Sequence, residues 1–383
     1  MGAISFKKSD RPMSRFSKYF RQKFQNAVFS IDPETAHGLS IAAIRYLCRP
    51  PIDAQCDDIL RTSIWGREFV NPIGLAAGFD KNCTVADRMF GFGFGFVETG
   101  TVTPLPQSGN DKPRVFRLAG DRAVINRLGF NNSGLDNYVA ALAQARRNAP
   151  SWGVIGANVG MNRNAVDPCA DIHAGVSRVY QDADYIVVNI SSPNTPGLRD
   201  WQQGNALSSI VDAAMSARNA ESQKWARQKP LLFKIAPDLN YEQVEYIASV
   251  AADKKLDGVI ISNTTIDRPA ELESEHSHEK GGLSGRPLMR PSTRILRQFY
   301  RFSGGKIPLI GVGGVSSGHD AYRKIKAGAS LVQLYTAMVY HGPWIARQIA
   351  LELAELLRAD GLKSPLGAVG VESDMKYDDN IHW

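Results

Sequence analysis

Side chains able to do chemistry collect where apolar runs stop. In YIVVNISSPNTPGLR, from Tyr185 to Arg199, the run Ile186-Val187-Val188 gives way to Asn189, Ser191, Ser192, Asn194 and Thr195, with Pro193 and Pro196 among them. The same transition occurs at Ala77-Gly78-Phe79-Asp80-Lys81, Thr99-Gly100-Thr101, Asn158, Lys234, Ser262-Asn263-Thr264, Gly311-Val312-Gly313-Gly314 and Tyr335-Thr336. Taken singly, an Asn-rich turn is a turn and a terminal lysine is a surface group. Taken together, so many amides buried without partners would cost several kcal/mol, and a flat ligand rich in C=O and N–H groups would satisfy them. No carboxylate pair suited to glycoside chemistry and no metal-ligating set emerges. The glycine turn, followed by a helix from about Ser317, suits a phosphate.

The elements that must position these groups are eight short apolar runs. They begin at Pro72, Phe94, Trp152, Asp184, Pro230, Asp257, Ile307 and Ala329, with helical patterns such as YEQVEYIASVAADKK between most of them. Runs that are apolar on both faces fit parallel strands covered by helices. Eight alternations predict a (β/α)8 TIM barrel, whose active groups sit at the strand ends. An open doubly wound sheet would call for GxGxxG after the first strand, which is absent. Two insertions break the pattern. VTPLPQSGNDKPRVFRLAGDRAVINRLGFNN predicts a hairpin, and AELESEHSHEKGGLSG predicts a mobile lid. His276 and His278 in the second read as solvated loop residues rather than ligands.

Two amphipathic helices precede the first run. One covers Arg15 to about Ala27; the other starts at IDPETAH, with Asp32 as N-cap and Pro33 at the first helical position, and ends at Arg49-Pro50-Pro51. The domain plan is a basic, disordered arm over 1–14, an amphipathic helical extension over 15–52, a barrel over 53–362 and a polar tail over 363–383. Of the net charge of +7, most lies before Asp32, where seven basic residues face Asp10 alone. The near-neutral remainder argues against a nucleic-acid-binding body. Four cysteines without CxxC spacing read as free thiols in a reducing compartment. No run approaches the roughly 20 apolar residues of a spanning helix. On these residues alone, two other readings stay open: a non-redox barrel binding a phosphorylated metabolite, and an idle membrane-binding module.

The set GLAAGFDKN, ETGTVTP, KPRVFRL, NRLGFNN, VNISSPNTPGLR, LLFKIAPDL, ISNTT, GGLSG, IGVGGV and QLYTAMVY, spanning nearly all of Asp32 to Leu357, closely resembles the dihydroorotate dehydrogenase family. The N-terminal helices and Ser192, where the soluble branch has cysteine, favour its quinone-dependent, membrane-associated class 2 branch. The soluble fumarate- or NAD-linked branch is the nearest alternative. The resemblance implies oxidation of dihydroorotate to orotate in pyrimidine biosynthesis, with FMN as hydride acceptor and ubiquinone or menaquinone as final acceptor.

It also implies roles for residues. FMN contacts would be Ala77, Gly78, Phe79, Asp80, Lys81, Thr101, Asn158, Asn189, Lys234, Ser262, Gly285, Gly314, Tyr335 and Thr336, with Gly285 and Gly314 leaving room for close backbone approach. Substrate would meet Lys81, Asn126, Arg127, Leu128, Gly129, Phe130, Asn189, Asn194, Asn263 and Thr264, and Ser192 would be the base. His37, Arg117 and Tyr335 would meet the quinone head. The expected state is a monomer, peripheral on the cytoplasmic side of a bacterial membrane, or on the mitochondrial inner membrane in a eukaryote. The Arg/Ser-rich, acid-poor residues before Met13 fit a transit segment as well as a basic bacterial arm.

Overall fold

A computed structural model describes residues 29–47, 56–195 and 197–374. The first predicted helix, the basic arm, Pro196 and the end of the tail lie outside the described residues. The second predicted helix is present as α1, Pro33–Tyr46. Asp32 caps it by accepting from Thr35 N at 2.8 Å, a contact worth about 1 kcal/mol. It buries Ala36 and Ile44 and leaves Leu39 and Leu47 exposed.

An antiparallel hairpin, β1 (Thr62–Ile64) and β2 (Arg67–Phe69), precedes the barrel. Its turn residues Trp65 and Gly66 both have positive φ, as a two-residue turn between twisted strands requires. The hairpin packs Ile64 and Phe69 against side chains of the barrel interior, and Trp65 Nε1 donates to Asp257 O at 2.6 Å.

All eight predicted strands form, in the expected places. They are β3 (Ile73–Leu75), β4 (Phe96–Val102), β7 (Val154–Val159), β8 (Tyr185–Asn189), β9 (Leu231–Ile235), β10 (Gly258–Ile261), β12 (Leu309–Val312) and β13 (Leu331–Leu334). They close into one parallel barrel in the order β3-β4-β7-β8-β9-β10-β12-β13. One apolar cluster fills its interior and a second lies between strands and helices. Gly74 and Gly156 make room inside: a Cβ on either would sit 2.3 Å from the Phe96 ring or 2.1 Å from the Tyr185 ring.

The first insertion contains the predicted hairpin, β5 (Val115–Leu118) with β6 (Ala123–Asn126). The second insertion ends in β11 (Gly282–Gly285), which pairs with β6 and completes a three-stranded antiparallel sheet. The polar tail is partly structured: Pro365 and Ala368 are buried, and Lys326 pairs with Glu372 at 2.5 Å.

Candidate active site

The loop after β3 is locked to its neighbour, with Gly78 N donating to Gly100 O at 2.8 Å and Gly100 N to Asp80 O at 3.1 Å. The Asp80 carboxylate accepts from Thr84 N and Val85 N at 2.7 and 2.8 Å, so it braces its own loop. Burial pushes its carboxyl up to about 6, against those backbone donors. Lys81 beside it is pushed down to about 8 by burial; Glu34 opposes the shift and Arg114 adds to it.

The amides at the strand ends form one hydrogen-bonded chain. Asn158 Nδ2 donates to the buried Glu98 at 2.8 Å, Thr101 Oγ1 donates to Asn158 Oδ1 at 2.6 Å, and Asn189 Nδ2 donates to Thr101 Oγ1 at 2.8 Å. Asn263 Nδ2 reaches Asn189 Oδ1 at 3.3 Å and Ser191 Oγ at 3.0 Å. Lys234, in register with Asn189, makes no hydrogen bond among the described residues. Burial pushes its ammonium pKa down and Glu98 pushes it up.

Ser192 is buried, and its Oγ accepts from Asn194 N at 3.2 Å. Asn194 Nδ2 in turn donates to Asn126 Oδ1 at 3.3 Å. Arg199 holds the serine loop down: it donates to Ser191 O at 3.2 Å, Asp238 Oδ2 at 2.6 Å and Thr264 O at 2.9 Å.

These groups open into one cavity of about 1980 Å³ that runs from Ser192 to α1. It brings together every residue expected at the cofactor, substrate and quinone sites except two. Asn158 sits behind the cavity wall, fully buried in the chain just described. Arg127 faces outward: its guanidinium donates to Glu279 at 2.6 Å and Pro113 O at 2.8 Å and lies 4.7 Å from the Phe116 ring. Its side chain thus pins the second insertion to the first.

Gly285 and Gly314 are also confined by the protein itself. A Cβ on Gly285 would lie 2.4 Å from Arg122 O and one on Gly314 2.4 Å from Met289 Cβ. Both have positive φ, 92° and 80°, so protein packing and backbone conformation already exclude a side chain.

At the α1 end, His37 stands among aromatic rings, 5.3 Å from Phe79 and 6.3 Å from Tyr335 between centroids. Burial, and then Lys81, lower its pKa to about 4, so it is neutral at physiological pH. Ala36, Ile41, Ile44 and Met338 give this end an apolar lining. Arg117 donates to Ile31 O at 2.9 Å, with its guanidinium 5.2 Å from the Phe29 ring. Glu34 clamps α1 to the first insertion by a two-pronged bond to Arg114, at 2.9 and 2.7 Å.

Sequence reading missed Glu98, Glu34 with Arg114, Arg199 and Asn131. The last has a buried, unpartnered Oδ1 in the cavity wall. Glu98 had a signal, being a carboxylate inside the apolar run FGFVETG.

The cavity fits a flavin mononucleotide. A lysine without a hydrogen bond and an amide row meet a flat polar ring, and the positive-φ turn Gly313-Gly314 leads to a helix at Gly318–Lys326. A closed parallel barrel with such a site at its strand ends defines a (β/α)8 enzyme class to which flavin-dependent oxidoreductases conform. Within that class, the chain belongs to the dihydroorotate dehydrogenase family, whose profile matches residues 59–357. A Xanthobacter autotrophicus protein named dihydroorotate dehydrogenase (quinone) is 51% identical over 341 residues, covering 89% of this chain and 95% of that protein. A mitochondrial counterpart from Oryza sativa is 47% identical, covering 91% of this chain and 79% of that protein. The crystal structure of Eimeria tenella DHODH in complex with ferulenol matches with a TM-score of 0.86 at 42% identity, covering 90% of this chain and 96% of that one.

Proposed function

We propose that this protein oxidises (S)-dihydroorotate to orotate with FMN and a membrane quinone, ubiquinone or menaquinone, in de novo UMP synthesis. The observation that carries this reading is the continuity of one cavity from buried Ser192 to the aromatic His37 end. FMN, when bound, would supply the acceptor for the hydride leaving C6 of the substrate and the donor of those two electrons to the quinone.

The protein's residues do the rest. Lys81 neutralises the substrate carboxylate; Asn126, Asn189, Asn194, Asn263 and Thr264 match the ring's donors and acceptors, while Leu128, Gly129 and Phe130 wall the site. Ser192 takes the C5 proton. A serine hydroxyl is a weak base, so its own proton must leave towards water as Oγ takes the C5 proton. The N–H that Asn194 donates to Oγ stabilises the partial negative charge which departure of that hydroxyl proton puts on the oxygen. Lys234 faces the pyrimidine edge of the cofactor, and the Ala77–Lys81 loop, Thr101, Ser262, Gly285, Gly314, Tyr335 and Thr336 surround it. His37, Arg117 and Tyr335 meet the quinone head.

Residues 15–52 serve as the membrane and quinone extension of a barrel spanning 53–362, after a basic arm over 1–14 and before a polar tail over 363–383. The protein works as a monomer, peripheral on the cytoplasmic face of a bacterial membrane. Among the described residues no helix is long and apolar enough to cross one.

The test is dihydroorotate oxidation assayed with a long-chain quinone and, in parallel, with fumarate and NAD⁺. Turnover with quinone alone is expected; turnover with fumarate or NAD⁺ and none with quinone would overturn the reading.

A further inference from the structure

Glu98 lies in the barrel interior with no exposed surface, and its oxygens contact only donors. These are Asn158 Nδ2 at 2.8 Å, Gln333 Nε2 at 2.7 Å and Tyr185 OH at 3.2 Å. Gln333 turns its nitrogen to Glu98 although its own Oε1 is left buried and unpartnered. With no amide oxygen facing it, Glu98 fits these neighbours as a carboxylate, which only accepts.

An acceptor at that end fixes the direction of everything above it. Asn158 must donate downward, so its oxygen faces Thr101. Thr101 has one hydroxyl proton and gives it to Asn158, so its oxygen accepts from Asn189. The Asn189 oxygen is then the acceptor for Ser191 N at 3.2 Å, Ser191 Oγ at 3.0 Å and Asn263 Nδ2. Both N–H bonds of Asn263 are engaged below, and its Oδ1 accepts from Thr264 N at 2.8 Å and, at a long 3.4 Å, from Thr264 Oγ1. At the cavity wall, Asn189 retains one N–H donor, and the Asn263 oxygen can accept from a ligand in place of the long Thr264 hydroxyl contact.

We infer that Glu98 is a positioning residue: its carboxylate sets the donor and acceptor polarity of the strand-end amides, selecting a cyclic ureide with C=O and N–H in matching order. The inference rests on the proposed substrate and cofactor. Hydrogen bonds that share a chain orient one another, so reversing the bottom member misorients the top. Loss of the anion also removes a negative charge from beneath the cavity wall, where Asn158 donates to it, and so favours a reduced flavin above.

The experiment uses the FMN-loaded protein. Orotate affinity is read from the flavin absorbance change, and the flavin midpoint potential is measured in the same samples, for wild type, Glu98→Gln, Asn158→Asp and the double variant. Glu98→Gln is expected to weaken orotate about tenfold, the size of a reversed buried hydrogen bond, and to raise the potential. The double variant moves the carboxylate up by one member of the chain. The carboxylate placed at position 158 then accepts from the amide placed at position 98 and from Thr101, so the chain above keeps its direction. It should recover most of the lost affinity, whereas Asn158→Asp alone sets two carboxylates together and should not.

Orotate binding within twofold of wild type and an unchanged potential in Glu98→Gln would overturn the inference, as would a double variant no better than the worse single one. If Glu98→Gln does not fold, a folded, orotate-binding double variant supports the inference, and a double variant that also fails to fold reduces Glu98 to packing and overturns it. A wild-type protein that holds flavin but binds no orotate defeats the substrate reading alone; the potentials then still decide the role of the charge.

Discussion

The His37 ring, on the helix before the barrel, meets the Phe79 ring edge-on at 5.3 Å, and Phe79 meets Tyr335 in the same way at 5.6 Å. Three elements far apart in sequence thus converge on the end of the cavity opposite Ser192. A neutral imidazole there can hydrogen-bond a quinone oxygen without bringing a charge into an apolar lining.

His37→Ala is therefore expected to slow reoxidation of the flavin by a long-chain quinone about tenfold, the size of one lost hydrogen bond, and to leave its reduction by dihydroorotate unchanged. Stopped-flow absorbance separates the two. Stability should also respond to His37. Its pKa is about 4 in the folded chain and about 6.5 when unfolded, so between these values the unfolded chain binds the proton first. Stability contributed by the neutral imidazole is lost as pH falls from about 6.5 towards 4, and denaturant titrations of His37→Ala across that window should show a shallower decline.

Ser192→Ala should retain FMN and orotate binding while flavin reduction by dihydroorotate slows by 10²–10⁴-fold, the usual effect of losing a general base. Reduction at the wild-type rate would remove Ser192 from that role.

Lys81→Ala and Lys234→Ala should fail differently. Lys81 is cast as the partner of the substrate carboxylate, so its loss should mainly weaken orotate; Lys234 is cast beside the cofactor, so its loss should mainly weaken FMN retention. Because Lys81 is pushed down to about 8 in the ligand-free protein, orotate affinity should fall as pH rises through that value, and the fall should vanish in Lys81→Ala. Orotate titrations and bound-flavin measurements on both variants check all three statements.

Removing residues before Asp53 takes away α1 and with it His37. The shortened protein, if folded and flavinated, should still be bleached by dihydroorotate but should be reoxidised slowly by quinone and bind liposomes weakly. Quinone turnover and liposome binding equal to the full chain would contradict the assignment of this segment.

The barrel was legible because a strand covered on both faces must be apolar throughout, and Ile186-Val187-Val188 or Leu231–Phe233 can hardly be anything else. The cup was legible because Asn189, Lys234 and Asn263 interrupt such runs at their ends. What stayed hidden depends on partners distant in sequence. The direction of Arg127 follows from Glu279, about 150 residues away, and the helix–insertion clamp needs Glu34 and Arg114 together. Glu98 was visible as an odd residue, but only strand register shows that it points inward beneath Asn158. The glycines at 285 and 314 were legible as special positions, and packing against Arg122 and Met289 adds a reason that depends on residues distant from Gly285 and Gly314 in sequence.

The sheet β5-β6-β11 draws its strands from two insertions separated by four barrel strands, β7 to β10, and Arg127 rivets them at Glu279. The roof of the cavity is consequently anchored on two sides rather than hinged on one. A single protease cut between residues 268 and 279 would leave β11 zipped to β6, and the nicked halves should remain together as a complemented pair under native conditions. Insertions at this point would be tolerated in the same way, which makes it a suitable place to attach a reporter without disturbing the strands beneath.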